Sequence, residues 1–329
     1  MEALLEANAG FATAYSADRY SRELNARLSD WFETECHVLP ISTGTAANCV
    51  ALAEIIPPWG AVMCHRVAHI HNDEGGAPEF YTAGAKLMPL DGENARLQPD
   101  TLAAAIDSAG VHGVHNVKPS VVSITQATEC GTCYRPEQIR AIAGVAHERG
   151  LPLHMDGARF ANALAWLDVA PAEITWKAGV DVLSLGLTKN GALNAEALVV
   201  FRHPEWLEGM ERRRKRGGHL LSKMRYVSAQ ILAMLDDDLA LDLARSANGR
   251  AAELAAVIEA SPIASLQWPV EANEVFIKAE PAVLQALKDR GFEFHIWPGY
   301  ADVGRLVCSW VTEPDQIKAF AEALAPLEA

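Results

Sequence analysis

Between residues 37 and 201 short apolar runs alternate with helix-forming stretches, and this alternation constrains the fold more than any other feature of the chain. Seven runs read as strands: His37 to Ile41, Ala61 to His65, Lys86 to Leu90, Ser120 to Thr125, Leu153 to Asp156, Val182 to Leu187 and Leu198 to Phe201. Helical patterns such as Pro99 to Ile106 and Pro136 to Arg149 separate most of them. Strands joined by helices pack as a mostly parallel sheet flanked by helices, so the expected class is α/β. Ahead of the first strand, Leu24, Leu28, Trp31 and Phe32 recur at helical spacing after Asp18 and predict an amphipathic helix. Beyond Phe201 the texture changes. Trp206 to Ala260 is nearly all helix-forming, and Ser265 to Lys278, Pro281 to Arg290, Phe292 to Ile296 and Arg305 to Trp310 read as a small α+β unit. The expected organisation is a large domain over 1–240 and a smaller C-terminal one over 241–329.

Charge narrows the function classes. A formal net charge of −14 over 329 residues argues against nucleic acid or an anionic membrane as partner, since both need concentrated Lys and Arg. The basic run Arg212 to Arg216 is local and also fits a solvated helix face. No apolar run approaches the roughly 20 residues that span a bilayer, and no charged-then-apolar leader opens the chain, so a cytoplasmic location is expected. Six scattered cysteines, Cys36, Cys49, Cys64, Cys130, Cys133 and Cys308, are not the dense framework of a disulfide-stapled domain and read as free thiols. Cys130 and Cys133 form a CxxC without a second pair for zinc, which favours a structural reading.

Candidate chemistry gathers at strand ends. Val182 to Leu187 delivers Lys189 to the end of an apolar run, where ligands collect in open α/β sheets and where burial disfavours an ammonium. Taken alone, this stretch favours a surface lysine in a turn. His154-Met155-Asp156-Gly157-Ala158-Arg159 sets an acid and an arginine three residues apart just past another strand. The acid could hold a protonated ring nitrogen and the arginine a carboxylate, or the two could pair locally. Ser42 to Asn48 brings small hydroxyl residues and Gly44 to a helix start, suiting either a phosphate or simple capping. His69 follows the second strand, where an imidazole could stack on a planar cofactor. His65, His69 and His71 beside Asp73 and Glu74 also have the residue types of a metal site, although Gly75-Gly76 favours a loop there rather than the helix that would align them. There is no GxSxG nucleophile elbow and no GxGxxG after the first strand, which weakens serine-hydrolase and nicotinamide readings. Phosphate loop, aspartate, arginine and lysine in this order meet the needs of a pyridoxal phosphate enzyme.

The motifs STGTAANCVAL, HNDEGGAPEF, HMDGARFANALA, WKAGVDVLS, TKNG and SKMR, in this order over nearly the whole chain, resemble the low-specificity L-threonine aldolase family, of the aspartate-aminotransferase (type I) fold. The resemblance implies a pyridoxal phosphate-dependent lyase that cleaves L-threonine, L-allo-threonine and related β-hydroxy-α-amino acids to glycine and an aldehyde. Other reactions of the same cofactor, such as β-elimination, racemisation or phenylserine-type cleavage, and a decayed non-catalytic homologue, are the alternatives on this fold. It further implies that Lys189 holds the cofactor covalently, that Asp156 pairs with its ring nitrogen, that His69 stacks on the ring and that Gly44 and Thr45 bind its phosphate. Arg159 and Arg305 would take the substrate carboxylate, and Arg225 would reach a phosphate across a dimer interface. The implied assembly is a homodimer with shared active sites, further paired into a tetramer. Three places differ from the family's usual pattern. Thr125 to Glu129 carries no histidine, so the base for the substrate hydroxyl lies between His69 and an ordered water. Asn194-Ala195 stands where relatives often have Val-Gly, and the usual opening Ser-Asp-Asn segment is missing, so either a segment precedes Met1 or the site lacks that edge.

Overall fold

The computed structural model describes residues 1–325. Seven strands form the large sheet: β1 (His37–Ile41), β2 (Gly60–His65), β3 (Lys86–Leu90), β4 (Lys118–Thr125), β5 (Leu153–Gly157), β6 (Val182–Gly186) and β7 (Glu196–Val200). Their order is β1-β7-β6-β5-β4-β2-β3. The pairings from β6 through to β3 are parallel, and β7 is antiparallel to both β6 and β1. The sheet is therefore mostly parallel with one reversed strand near its edge, as the α/β alternation requires.

Both faces of this sheet are dry. Val121 and Val122 on β4, Val182 and Leu183 on β6, and Leu198 and Val199 on β7 enter different core clusters in alternation, which accounts for continuous apolar runs rather than an alternating pattern. Helix Gly44–Ile55 covers one face and is buried over eight consecutive residues, Ala46 to Ala53, where small side chains let it pack closely. Helix Arg19–Phe32 covers the other with Leu24, Leu28 and Phe32 and is capped by Asp18, whose carboxylate accepts from the Ser21 amide at 2.9 Å.

The long helical stretch beyond Phe201 is broken into Leu207–Arg216, Arg225–Leu235 and Leu239–Glu259. Helix Leu239–Glu259 places Ala240 and Ala244 in the main core and Ala251, Leu254 and Ile258 in a second core. That second core lies against an antiparallel sheet of β8 (Ala264–Leu266), β9 (Glu274–Ala279), β10 (His295–Ile296) and β11 (Val303–Val307), ordered β10-β11-β9-β8. Among the described residues no helix is long and apolar enough to cross a membrane. All six cysteines are free and buried.

Candidate active site

A cavity of about 180 Å3 opens at the carboxyl ends of the parallel strands, where Asp156, Lys189, His69, Gly44 and Thr45 meet. These five positions are among the candidates named from the sequence, and the topology brings them together from four separate segments. Asn48, Glu74 and Glu196 complete the wall. Of these three, only Glu74 stands out in the sequence, and there as a metal ligand rather than as a partner of His69.

Lys189 sits in the single turn Thr188–Asn190 that ends β6. Two ties fix this turn: Asn190 Nδ2 donates to the Ala240 carbonyl at 2.8 Å, and Thr188 Oγ1 accepts from the Ala195 amide at 3.1 Å. Burial, followed by the nearby Arg159 charge, lowers the lysine's pKa below its ordinary value, against the opposing pull of Asp156, Glu274 and Glu196. An amine whose charged form is disfavoured in this way is more available as a nucleophile, and Lys189 is also exposed enough to be reached.

Asp156, near the end of β5, is buried and pre-oriented. Its Oδ2 accepts from Asn48 Nδ2 at 2.9 Å and its Oδ1 from the Ala158 amide at 3.0 Å. The same Asn48 amide donates to Glu74 Oε1 at 2.9 Å, and that oxygen lies 2.9 Å from His69 Nδ1. A continuous polar chain thus runs from the imidazole through Glu74 and Asn48 to the aspartate. The bond to Glu74 raises the His69 pKa against the opposing effect of burial. His69 and its neighbours form a short helix, His69–Asn72, where the glycine pair had suggested a loop. His65 is turned to other work, bonded to the Gly92 carbonyl at 3.1 Å.

Two more acids surround this chain. Glu129 accepts from the His69 amide at 2.7 Å and from Thr125 Oγ1 at 2.9 Å, and burial together with the Asp156 charge pushes its carboxyl up to about 7. Glu196 is raised to about 7 chiefly by burial. Beneath Asp156, His154 is fully enclosed between Ser123 Oγ at 2.9 Å and Ser184 Oγ at 3.0 Å, and burial lowers it to about 4.

The opposite wall begins helix Gly44–Ile55. Thr43 caps it by accepting from the Ala46 amide at 3.1 Å, which leaves the first-turn N–H groups at Gly44 and Thr45 outside the helix's own bonding. A side chain at position 44 would point toward Glu196 Oε2, 3.9 Å from a methyl built there.

Three arginines complete the list of candidates. Arg159 and Arg305 converge on one buried carboxylate, Glu274: Arg159 Nη2 lies 3.2 Å from Oε1, and Arg305 Nε and Nη2 donate to the same oxygen at 2.8 and 2.5 Å. Arg225 is not brought to the cavity by its own chain. Its Nε donates to the Ala7 carbonyl at 2.8 Å and its guanidinium lies over Tyr226. The sequence holds a signal for two of the missed acids, since Glu196 begins and Glu274 opens a strand otherwise almost entirely apolar.

A mostly parallel sheet with a lysine of lowered basicity, an oriented aspartate and a bare helix start at its carboxyl edge has the makings of an α/β enzyme site, and the family match makes it a lyase. The beta-eliminating lyase family matches residues 1–281, and the chain belongs to it, among the low-specificity L-threonine aldolases. It is 41% identical to the low specificity L-threonine aldolase of Pseudomonas aeruginosa over 97% of this chain and 91% of that one. The Saccharomyces cerevisiae protein of the same name is 26% identical over 90% of this chain and 75% of its own. A solved threonine aldolase from Leishmania major superposes with a TM-score of 0.92 at 28% identity, covering 100% of this chain and 95% of that one.

Proposed function

We propose that this chain is a pyridoxal phosphate-dependent aldolase that cleaves L-threonine, L-allo-threonine and related β-hydroxy-α-amino acids to glycine and an aldehyde. The observation that carries the reading is the meeting of Lys189, Asp156 and the Gly44–Thr45 helix start in one cavity. An amine, an acid and an anion site suit the aldehyde, the ring nitrogen and the phosphate of that cofactor. Asn48 Oδ1, buried in the same wall without a partner from the chain, fits a cavity built to receive a polar group. When bound, pyridoxal phosphate supplies the sink for the electron pair released as the Cα–Cβ bond breaks.

The chain's own residues do the rest. Lys189 would hold the cofactor, its reduced basicity suiting the amine both to bond a carbonyl carbon and to be released from it. Asp156, held by Asn48 and the Ala158 amide, keeps a proton on the ring nitrogen. Gly44 and Thr45 hold the phosphate, and Arg159 and Arg305 orient the substrate carboxylate. His69, which lines the cavity, would help hold the ring and would take the proton of the β-hydroxyl, its basicity strengthened by Glu74. The working unit is a homodimer in which Arg225 reaches the neighbouring subunit's phosphate, paired again into a tetramer. Six unpaired buried thiols support a cytoplasmic setting.

Products decide the reading. The holoenzyme is incubated with L-threonine, L-allo-threonine and L-serine: glycine with acetaldehyde from the first two is expected, and 2-oxobutanoate from threonine would replace the aldolase by an eliminase. Lys189→Ala is expected to abolish both turnover and the visible absorbance of the bound cofactor. A protein that takes up no cofactor at all would sink every version of the proposal.

A further inference from the structure

Glu274 opens β9 and is 1% exposed, although its neighbours in the strand, Val275, Phe276 and Ile277, are apolar. In the β9–β11 register Glu274 faces Val307 and Arg305 faces Phe276, so acid and arginine are diagonal neighbours on one face of the small sheet. Arg159 arrives from the other direction, at the start of helix Phe160–Leu167 in the large unit. All three N–H contacts fall on Oε1, at 2.5, 2.8 and 3.2 Å. Oε2 is buried with no partner, and so are Arg159 Nε and Asn273 Oδ1. Arg305 thereby commits its Nε–Nη2 edge, an edge with which a guanidinium can grip a carboxylate in two parallel bonds, to a carboxylate of its own chain.

We infer that Glu274 is an internal competitor of the substrate's carboxylate: it holds Arg159 and Arg305 together in the free site and sets how tightly an amino acid binds. The inference rests on the reading that these two arginines take the substrate carboxylate. Two guanidinium groups and one carboxylate sum to a single positive charge, which one incoming carboxylate neutralises. Without Glu274 the same carboxylate would meet two positive charges on side chains only 13% and 24% exposed, where screening by water is reduced. With Glu274 present, the substrate must draw a shared guanidinium edge away from a fixed anion. Binding of every amino acid is weakened uniformly, and the glycine product leaves more readily.

Glycine is the probe, titrated into the holoenzyme and followed through the cofactor's absorbance with no turnover required. Glu274→Gln keeps the size and an Oε1 acceptor while removing the charge. Its dissociation constant for glycine is expected to fall about tenfold, toward the lower end of what one charge-assisted hydrogen bond is worth. A glutamate that merely braces the arginines would, on the same substitution, let them loosen and raise the constant. A raised or unchanged constant overturns the inference. Glu274→Asp, which retracts the same charge by one methylene, is expected to move the constant in the same direction by less, and it replaces the Gln variant should that fail to fold. Arg305→Ala tests the underlying reading separately: glycine affinity unchanged there would show that the arginines do not hold the carboxylate, whatever Glu274 does.

Discussion

His69 shows how much of this site is settled by single contacts. Its Nδ1 lies 2.9 Å from a glutamate oxygen that also accepts from Asn48, so Glu74 is fixed as well as buried. Glu74 raises the imidazole's pKa, and a base acts only in its deprotonated form, so the acid limb of the kcat/KM profile reports that raised value. Glu74→Gln removes the charge, and the limb is expected to move to lower pH as the histidine falls toward, and through burial below, its ordinary value. A limb that stays in place would assign the proton to another group, with Glu129, raised to about 7 and bonded to the His69 amide, the next to test. At this scale the sequence is partly legible. Lys189, Asp156, His69, Gly44 and Thr45 are readable because each stands at or just past the end of an apolar strand, a position with chemical meaning in an α/β sheet. Glu74 and Glu129 are not readable in the same way, since their roles come from partners that the fold brings from afar, Asn48 for Glu74 and the His69 amide for Glu129, and Glu196 is marked only by heading an apolar strand.

At the scale of elements, the seven strands are legible to within two residues because runs buried on both faces leave an unbroken apolar signature. What sequence does not give is their order. The reversal of β7 between β1 and β6 depends on a return so short, Leu187 to Ala195, that no crossover helix fits and the chain must turn back antiparallel. That return carries the lysine, and Gly191 makes it possible with φ +119, a conformation L side chains rarely adopt. A methyl built there would also lie 2.8 Å from Leu243 Cδ1 on helix Leu239–Glu259. Leu243 can shift, so the backbone strain decides the effect. Gly191→Ala is expected to destabilise the fold by about 2 kcal/mol and to weaken cofactor retention, because the strained turn is the one that aims Lys189. Urea unfolding and a cofactor titration check the two halves, and a variant with native cofactor affinity would show that the turn does not need its glycine to place the lysine. The helix His69–Asn72 is missed from sequence because it is a single turn closed at Asp73, and Gly75 and Gly76, at φ +59 and +75, belong to the link into the next helix, Ala77–Tyr81.

The whole molecule raises two questions, one about its neighbours and one about acid. Within its own chain Arg225 binds the Ala7 carbonyl and is not part of the cavity, so its proposed phosphate contact requires a second subunit. If Lys189 and Arg225 of different subunits complete each site, Lys189→Ala and Arg225→Ala chains, each inactive alone, regain about a quarter of wild-type activity when mixed at random, since half the dimers then hold one intact site. Failure to recover would confine Arg225 to tethering the N-terminal helix. The second question concerns buried titratable groups of opposite sign. Glu129 and Glu196, raised to about 7, keep protons in the fold that unfolded carboxyls lose near 4.5, so their contribution to stability is complete below 4.5 and is lost as pH rises through 7. His154, lowered to about 4, works the other way: its contribution is present above 6.5 and is lost as pH falls toward 4. Between 4.5 and 6.5 the two carboxyls outweigh the one imidazole, so these three groups together make the apoprotein less stable as pH rises through that window. Each carboxyl is responsible for about 3 kcal/mol, because every tenfold gain in proton affinity on folding is worth roughly 1.4 kcal/mol. Glu196→Gln removes one of them without adding a charge. The variant's unfolding free energy, measured against wild type in urea on the apoproteins, is therefore expected to gain about 3 kcal/mol between about pH 4.5 and 7.5. Curves that run parallel over that range would mean that Glu196 ionises in the fold as freely as in water, and that the cavity beside Lys189 is far wetter than its burial implies.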